Sequence, residues 1–197
     1  MLLDFFHRED MDGFGKIRNF FYIVENISIG SSILRNMFEN QTIDNFKGSI
    51  CMLDGDQTIK KSDIQNSIMC LPGKDSPEKF LFEYAKRLIE INDPFWTNTM
   101  NIQSGYTVSA VQETLIEPYE KINTEYDSKK EGGITTKGFK REAYKNLFNK
   151  NSNLMKTLFG HWIVQNKQET DEFLKTLQIM FYKNGKLKNI DISLWSK

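Results

Sequence analysis

The chain has 197 residues, enough for one ordinary domain or for one domain with a helical appendage, and 39% of them are hydrophobic, so a sizeable core can be buried. Lysine plus arginine equals aspartate plus glutamate at 26 each, which excludes a basic field over the whole protein and leaves only a local patch for any grip on nucleic acid. Four prolines and 12 glycines exclude a low-complexity chain. The sequence shows no apolar run of about 18 residues and no basic leader, so a protein of the reducing cytoplasm, with no membrane partner, is expected.

Residues 1–16 are mixed in character and end in "DMDGFGK", a loop pattern. "NFFYIVENISIG" (19–30) is dense in aromatic and β-branched residues and reads as a buried strand. In "SSILRNMFENQ" the residues Ile33, Leu34, Met37 and Phe38 recur at helical spacing, with Ser31 or Ser32 as the capping residue. "GSICMLD" (48–54) and "NSIMCLPG" (66–73) read as two further strands. About a dozen residues join them, near the minimum for a parallel crossover, and the direction of the pair stays open. "SPEKFLFEYAKRLIEI" (76–91) is the clearest helix. Ser76 is a natural N-cap, Pro77 takes the first helical position where its missing N–H costs nothing, and Glu78 complements the positive end of the dipole. Phe80, Tyr84 and Leu88 form its apolar stripe, helped by Leu81 and Ala85. After "NDPFWTN" come helices over 107–126, 136–150, 152–166 and 168–182, broken at "KKEGG" and "NKNSN". Phe173, Leu174, Leu177, Met180 and Phe181 make the apolar face of the last one. The fold class is therefore α/β, a small and mainly parallel sheet with flanking helices over 1–95, followed by an α-helical C-terminal region over 96–197 packed on it. Cys51 and Cys70 lie inside apolar runs without CxxC or zinc spacing, and read as small buried hydrophobes.

The chemistry is concentrated in "CMLDGDQ" (51–57). Positions i and i+2 of a strand point the same way, so Asp54 and Asp56 start on one side, with Gly55 letting the backbone turn between them. Two carboxylates so close repel and raise each other's pKa unless a cation neutralises both. Mg²⁺ is such a cation, held by one or two carboxylates plus water and phosphate oxygens, and ligands of open α/β sheets gather beyond the carboxyl ends of strands. The bland alternative is a solvated acidic turn. The segment "SIMCLPGKDSPE" repeats the arrangement: an apolar strand, a Pro-Gly turn, then a capped helix with Glu78 in its first turn, a third carboxylate near a strand end. For Glu78 the bland reading is a residue that complements the helix dipole.

"ICMLDGDQ" followed by "IMCLPGKDSPEKFLFEY" resembles the TOPRIM domain of the OLD-family (overcoming lysogenization defect) ATPase–nucleases, many of them antiphage defence proteins. The resemblance covers 19–92 well and 136–182 loosely. It implies Mg²⁺- or Mn²⁺-dependent cleavage of a nucleic-acid phosphodiester, with DNA as the expected substrate, one metal activating water and another steadying the leaving oxygen. Asp54 and Asp56 match the aspartate pair of the family motif, and Glu78 the acid after the later strand. The family's lysine near the scissile phosphate has its candidates in "KGFKREAYKNLF": Lys137, Lys140, Arg141 and Lys145, of which Lys145 is the choice for the catalytic lysine. Residues 128–150 carry seven basic and two acidic side chains, and Lys137, Arg141 and Lys145 share a helical face that can hold a phosphate backbone or simply face water.

The family also places a glutamate at the end of its first strand. Glu25 in "FYIVEN" is the candidate, yet it precedes Asp54 by only 29 residues (54 − 25), where the family fits an extra strand and helix. In the alternative alignment "YIVENISIGSSIL" is the second strand, the first strand with its glutamate lies upstream of residue 1, and the chain is a C-terminal portion that works with an ATPase domain or subunit, as a homodimer or larger assembly. His7 and His161 are far apart, and His161, among aromatics in "LFGHWIV", reads as a packed helical residue. No Walker A loop, GxSxG, HExxH or EF-hand pattern is present. Two other readings compete. A DxD after a strand also serves glycosyltransferases, for which this chain is short. A non-catalytic assembly module would keep the acidic turn as structure and use Trp162, Phe173, Phe181 and Trp195 to dock a partner.

Overall fold

The computed structural model describes residues 29–42, 48–128 and 136–187. Among them the chain runs α1 (Ser31–Glu39), β1 (Cys51–Leu53), α2 (Lys61–Gln65), β2 (Ile68–Cys70), α3 (Pro77–Glu90), a 3₁₀ turn (Pro94–Thr97), α4 (Thr99–Gln103), α5 (Val108–Val111), a π turn (Gln112–Ile116), α6 (Glu117–Ser128), α7 (Thr136–Lys150), α8 (Ser152–Gln165) and α9 (Lys167–Leu187). Contacts divide the chain into two compact units, residues 1–74 with 166–197, and residues 75–165. This division differs from the one drawn near residue 95 in the sequence: α3 groups with the later helices, and α9 groups with the strands.

In the first unit β1 and β2 pair in parallel, Cys51 opposite Ile68, Met52 opposite Met69 and Leu53 opposite Cys70. The direction left open by the sequence is thus settled, with the short helix α2 filling the crossover. Both strands are shorter than the apolar runs that contain them. Ser67 sits at φ 57° just before β2, and Gln57 N–H donates to Asp54 O at 3.1 Å just after β1, so turns bound the extended backbone. Alternation puts Cys51, Leu53, Ile68 and Cys70 on one face, where Leu34 and Phe38 of α1, one helical turn apart, pack against them. α1 begins at Ser31 with Gly30 as N-cap and no side-chain cap, so neither serine has the capping role expected of it; both already lie inside the helix. The strand expected over 19–30 falls outside the described residues up to 28, and Ile29 and Gly30 are not in a strand.

α9 brings a distant part of the sequence to this sheet. Asn184 Nδ2 donates to Ser49 O at 3.0 Å, and Ser67 Oγ donates to Asn184 Oδ1 at 3.3 Å, which ties the helix to the start of both strands. Near the other end of α9, Glu169 Oε1 accepts from Gly73 N at 2.8 Å, beyond the end of β2. Its buried face is Phe173, Leu177, Met180 and Phe181, the spacing the sequence shows.

The second unit is helical and centred on α3. Ser76 Oγ accepts from Lys79 N at 3.5 Å and Pro77 opens the helix, as its sequence dictates. The buried stripe is Leu81, Phe82, Ala85 and Leu88. Phe82 was not on the expected stripe, whereas Phe80 and Tyr84 are half-buried. α3 has neighbours on more than one side: the π turn, α7 and α8 all pack on it. Phe82 meets Tyr119 and Tyr144 at ring-centroid distances of 5.2 and 6.0 Å, while Phe80 meets Trp162 edge-on at 5.1 Å. α8 contributes Leu154, Met155, Leu158, Phe159, Trp162 and Ile163 to the core, each side chain worth about 1.5–3 kcal/mol of transfer free energy.

A candidate metal-binding turn

The acidic turn follows β1 directly. Asp54 is half-buried and Asp56 exposed. Gln57 closes the turn through its backbone bond to Asp54 O, and its side-chain Nε2 donates to Asp56 Oδ1 at 2.8 Å. The two carboxylates therefore stand at the carboxyl end of a buried strand in a parallel pair, the edge where α/β sheets bind ligands. Among the described residues no group of three or more His, Cys, Asp or Glu side chains stands close enough to hold a metal ion. A pair of carboxylates still suits Mg²⁺, which commonly takes one or two and fills its remaining positions with water and phosphate oxygens.

Side chains from three elements hold the segment after the turn. Cys70 Sγ of β2 donates to Gln57 O at 3.4 Å. Arg35 of α1 donates from NH2 to Thr58 O at 2.8 Å, and from NH1 to Asp63 Oδ2 at 2.6 Å. The same Asp63 oxygen accepts the Lys60 backbone N–H at 2.7 Å. Asp63 is completely buried, the Arg35 side chain is 11% exposed, and Asp63 Oδ1 is buried without a hydrogen-bond partner. Beside this pair, burial pushes the Cys51 thiol up to about 11; Arg35 opposes the shift, while Cys70 and Asp63 add to it. Burial likewise pushes Cys70 up to about 11 against Arg35, with Asp63, Asp56 and Asp54 adding. Both thiols are free. The strand spacing and register put their Cα atoms about 8 Å apart on the diagonal, beyond the reach of a disulfide.

The other expected site residues belong elsewhere. Glu25 lies outside the described residues, as do His7 and Trp195. Glu78 is half-buried in the first turn of α3, in the second unit. Lys137 belongs to α7, but its side chain lies outside the described residues. Lys140 is half-buried on the same helix, while Arg141 and Lys145 are exposed and Tyr144 and Leu147 turn inward. Trp162, Phe173 and Phe181, expected under the assembly reading to dock a partner, are 3%, 6% and 4% exposed and form core instead. His161 is packed, as expected: its Nδ1 lies 2.9 Å from Tyr84 Oη, and its Nε2 lies 3.7 Å from Asp93 Oδ1. Tyr84 is pushed up to about 12 by burial, with Asp93 adding and Arg87 opposing.

Nothing in the sequence marks Arg35 and Asp63 as partners. Arg35 interrupts an apolar helical pattern as any solvated residue would, and Asp63 looks like an ordinary acid in a crossover loop. Their pairing becomes visible only once α1 and α2 are brought together. Among the described residues no helix is long and apolar enough to cross a membrane. No family model matches the chain, and neither a curated protein nor a solved structure matches it.

Proposed function

We propose that the turn Asp54-Gly55-Asp56 is a Mg²⁺ or Mn²⁺ site in a TOPRIM-like sheet, and that the chain serves in metal-dependent hydrolysis of nucleic-acid phosphodiesters, most simply DNA. The observation that carries this reading is the pair of carboxylates set directly after a buried strand, at the carboxyl edge of a parallel pair. A cation bound there supplies an acidified water and neutralises charge on the phosphoryl oxygens. Asp54 and Asp56 bind and orient it. Glu78 is assigned to a further carboxylate position. Lys145, with Lys137, Lys140 and Arg141, is assigned to the phosphate backbone, exposed as Arg141 and Lys145 are on α7. Within the same proposal, the OLD-like resemblance assigns an ATPase domain or subunit as partner and antiphage defence as the setting.

A second reading rests on Gln57. Its amide already donates to Asp56, and its backbone already closes the turn on the Asp54 carbonyl, so Asp56 has a partner and the turn is closed without a cation. In that case the turn is structural and the chain is an assembly module.

Titration calorimetry with Mn²⁺ and Mg²⁺ separates the two, comparing wild type with Asp54→Ala/Asp56→Ala while plasmid cleavage is followed alongside. Binding that disappears in the variant supports the metal site, and cleavage that disappears with it supports the nuclease. A wild type that binds neither ion refutes the site and leaves the structural turn.

A further inference from the structure

The buried pair Arg35–Asp63 has no part in the acidic turn's own chemistry, yet it touches the chain that leaves that turn at two points. Arg35 holds the carbonyl of Thr58, and Asp63 holds the N–H of Lys60. Cys70 holds the carbonyl of Gln57, the residue whose own N–H closes the turn on Asp54. Thr58, Ile59 and Lys60 are themselves exposed, in a position where water would serve these backbone groups equally well. Burying two charges carries a desolvation penalty, and apolar residues of similar size usually give equal or greater stability. Apolar residues, however, cannot hold a carbonyl and an N–H of an adjoining loop at fixed points. Arg35 suits the task because its planar fork has donors for two acceptors at once, where a lysine offers a single compact charge.

From this geometry we infer that Arg35 and Asp63 are positioning residues that clamp residues 58–60 and thereby preset Asp54 and Asp56 for a divalent cation. The inference rests on the cation reading of the turn given above. A preset turn binds with less loss of conformational freedom than a mobile one. The variants are Arg35→Met/Asp63→Leu, which removes both charges without leaving either one unpaired, and Arg35→Lys, which keeps a charge opposite Asp63 but gives up the planar fork whose two nitrogens reach Asp63 and Thr58 separately.

Two readouts are taken on the full chain: amide hydrogen exchange without metal, and Mn²⁺ affinity by calorimetry. In wild type the Gln57 and Lys60 amides are expected to exchange slowly, although both lie outside regular structure. In the double variant they should exchange at least tenfold faster while the Cys51 and Leu71 amides, which belong to the strand ladder, keep their protection. The Mn²⁺ dissociation constant should rise about tenfold in the double variant and by a smaller factor in Arg35→Lys. Fast exchange at Lys60 in wild type overturns the clamp. So do a folded double variant with unchanged Gln57 and Lys60 exchange, and one with wild-type Mn²⁺ affinity. A wild type that binds no Mn²⁺ refutes the cation reading instead, and the exchange rates then decide by themselves whether the pair holds the turn.

Discussion

Replacing Asn184 with leucine should loosen both strands at their starting ends. The side chain is 7% exposed and bridges two parts of the chain that are far apart in sequence, donating to Ser49 O at 3.0 Å and accepting from Ser67 Oγ at 3.3 Å. Leucine is similar in size but offers neither function. The Ser49 carbonyl then loses its side-chain donor, at a cost of about 1–3 kcal/mol if water cannot reach it. The Ser67 O–H loses its acceptor, although its oxygen still accepts from Lys183 Nζ at 3.5 Å, and the loss of this long bond costs about 0.5–1.5 kcal/mol. The sum is about 1.5–4.5 kcal/mol, or a fall in Tm of about 3–18 °C for a chain of this size. Urea unfolding reads the total. Amide exchange at Cys51 and Leu71, bonded to Ser67 O and Leu53 O, reads the strands directly and should speed up about tenfold or more. Asn184→Asp keeps the acceptor but sets a carboxylate against the Ser49 carbonyl, so it should be no milder than leucine. A loss below about 0.5 kcal/mol in Asn184→Leu would refute the reasoning, because the bridge would then be replaceable by solvent.

Three further outcomes are expected. The thiols of Cys51 and Cys70, held near 11 in the fold against 9.0 otherwise, stay protonated at pH 8, so iodoacetamide should modify the native protein about a hundredfold more slowly than the urea-unfolded chain; equal rates would contradict the burial argument. Because the folded values are raised, this contribution to stability is complete below pH 9 and disappears as pH rises through 11, so a urea midpoint measured across that window should fall, and should fall less in Cys51→Val. In the second unit Phe82→Ala removes a fully buried ring that contacts both Tyr119 and Tyr144, and should cost about 3–5 kcal/mol by urea unfolding; a cost under 1 kcal/mol would mean that Phe82 is not the centre of that core.

What could be read in advance was local. The Ser76 cap, Pro77 at the first helical position, the helical extent of α3 and the apolar face of α9 depend on residues within a few positions of one another, and periodicity and propensity report on that range. The parallel pairing of β1 and β2 was undecided because a connection of about a dozen residues suits either direction. α2 was overlooked altogether, since five residues with a single apolar side chain carry no period. Phe82 was misplaced because a helix covered on several sides buries residues off its main stripe. The Arg35–Asp63 pair joins residues 28 apart, and the Asn184–Ser49 bond residues 135 apart. Such partners leave no mark on the chain around either one. The aromatics considered for docking show the same limit from the other side: an apolar helical face reads alike whether it meets its own core or a partner.

The acidic turn lies where these two kinds of information meet. Its place in the chain is local, since an apolar run must stop where Asp54 and Asp56 begin. Its geometry is not. Among the described residues the sheet offers two strands of three residues each, which leave the turn little regular structure of its own. The segment that leaves the turn is held by side chains from α1, α2 and β2: Arg35, Asp63 and Cys70. Substitutions on these elements, none of them adjacent to the acids in sequence, should change how the carboxylates are presented more than substitutions at Met52 or Met69, which face away from that cluster. If the turn holds a cation, its affinity then depends in part on a buried ion pair that the motif itself does not contain.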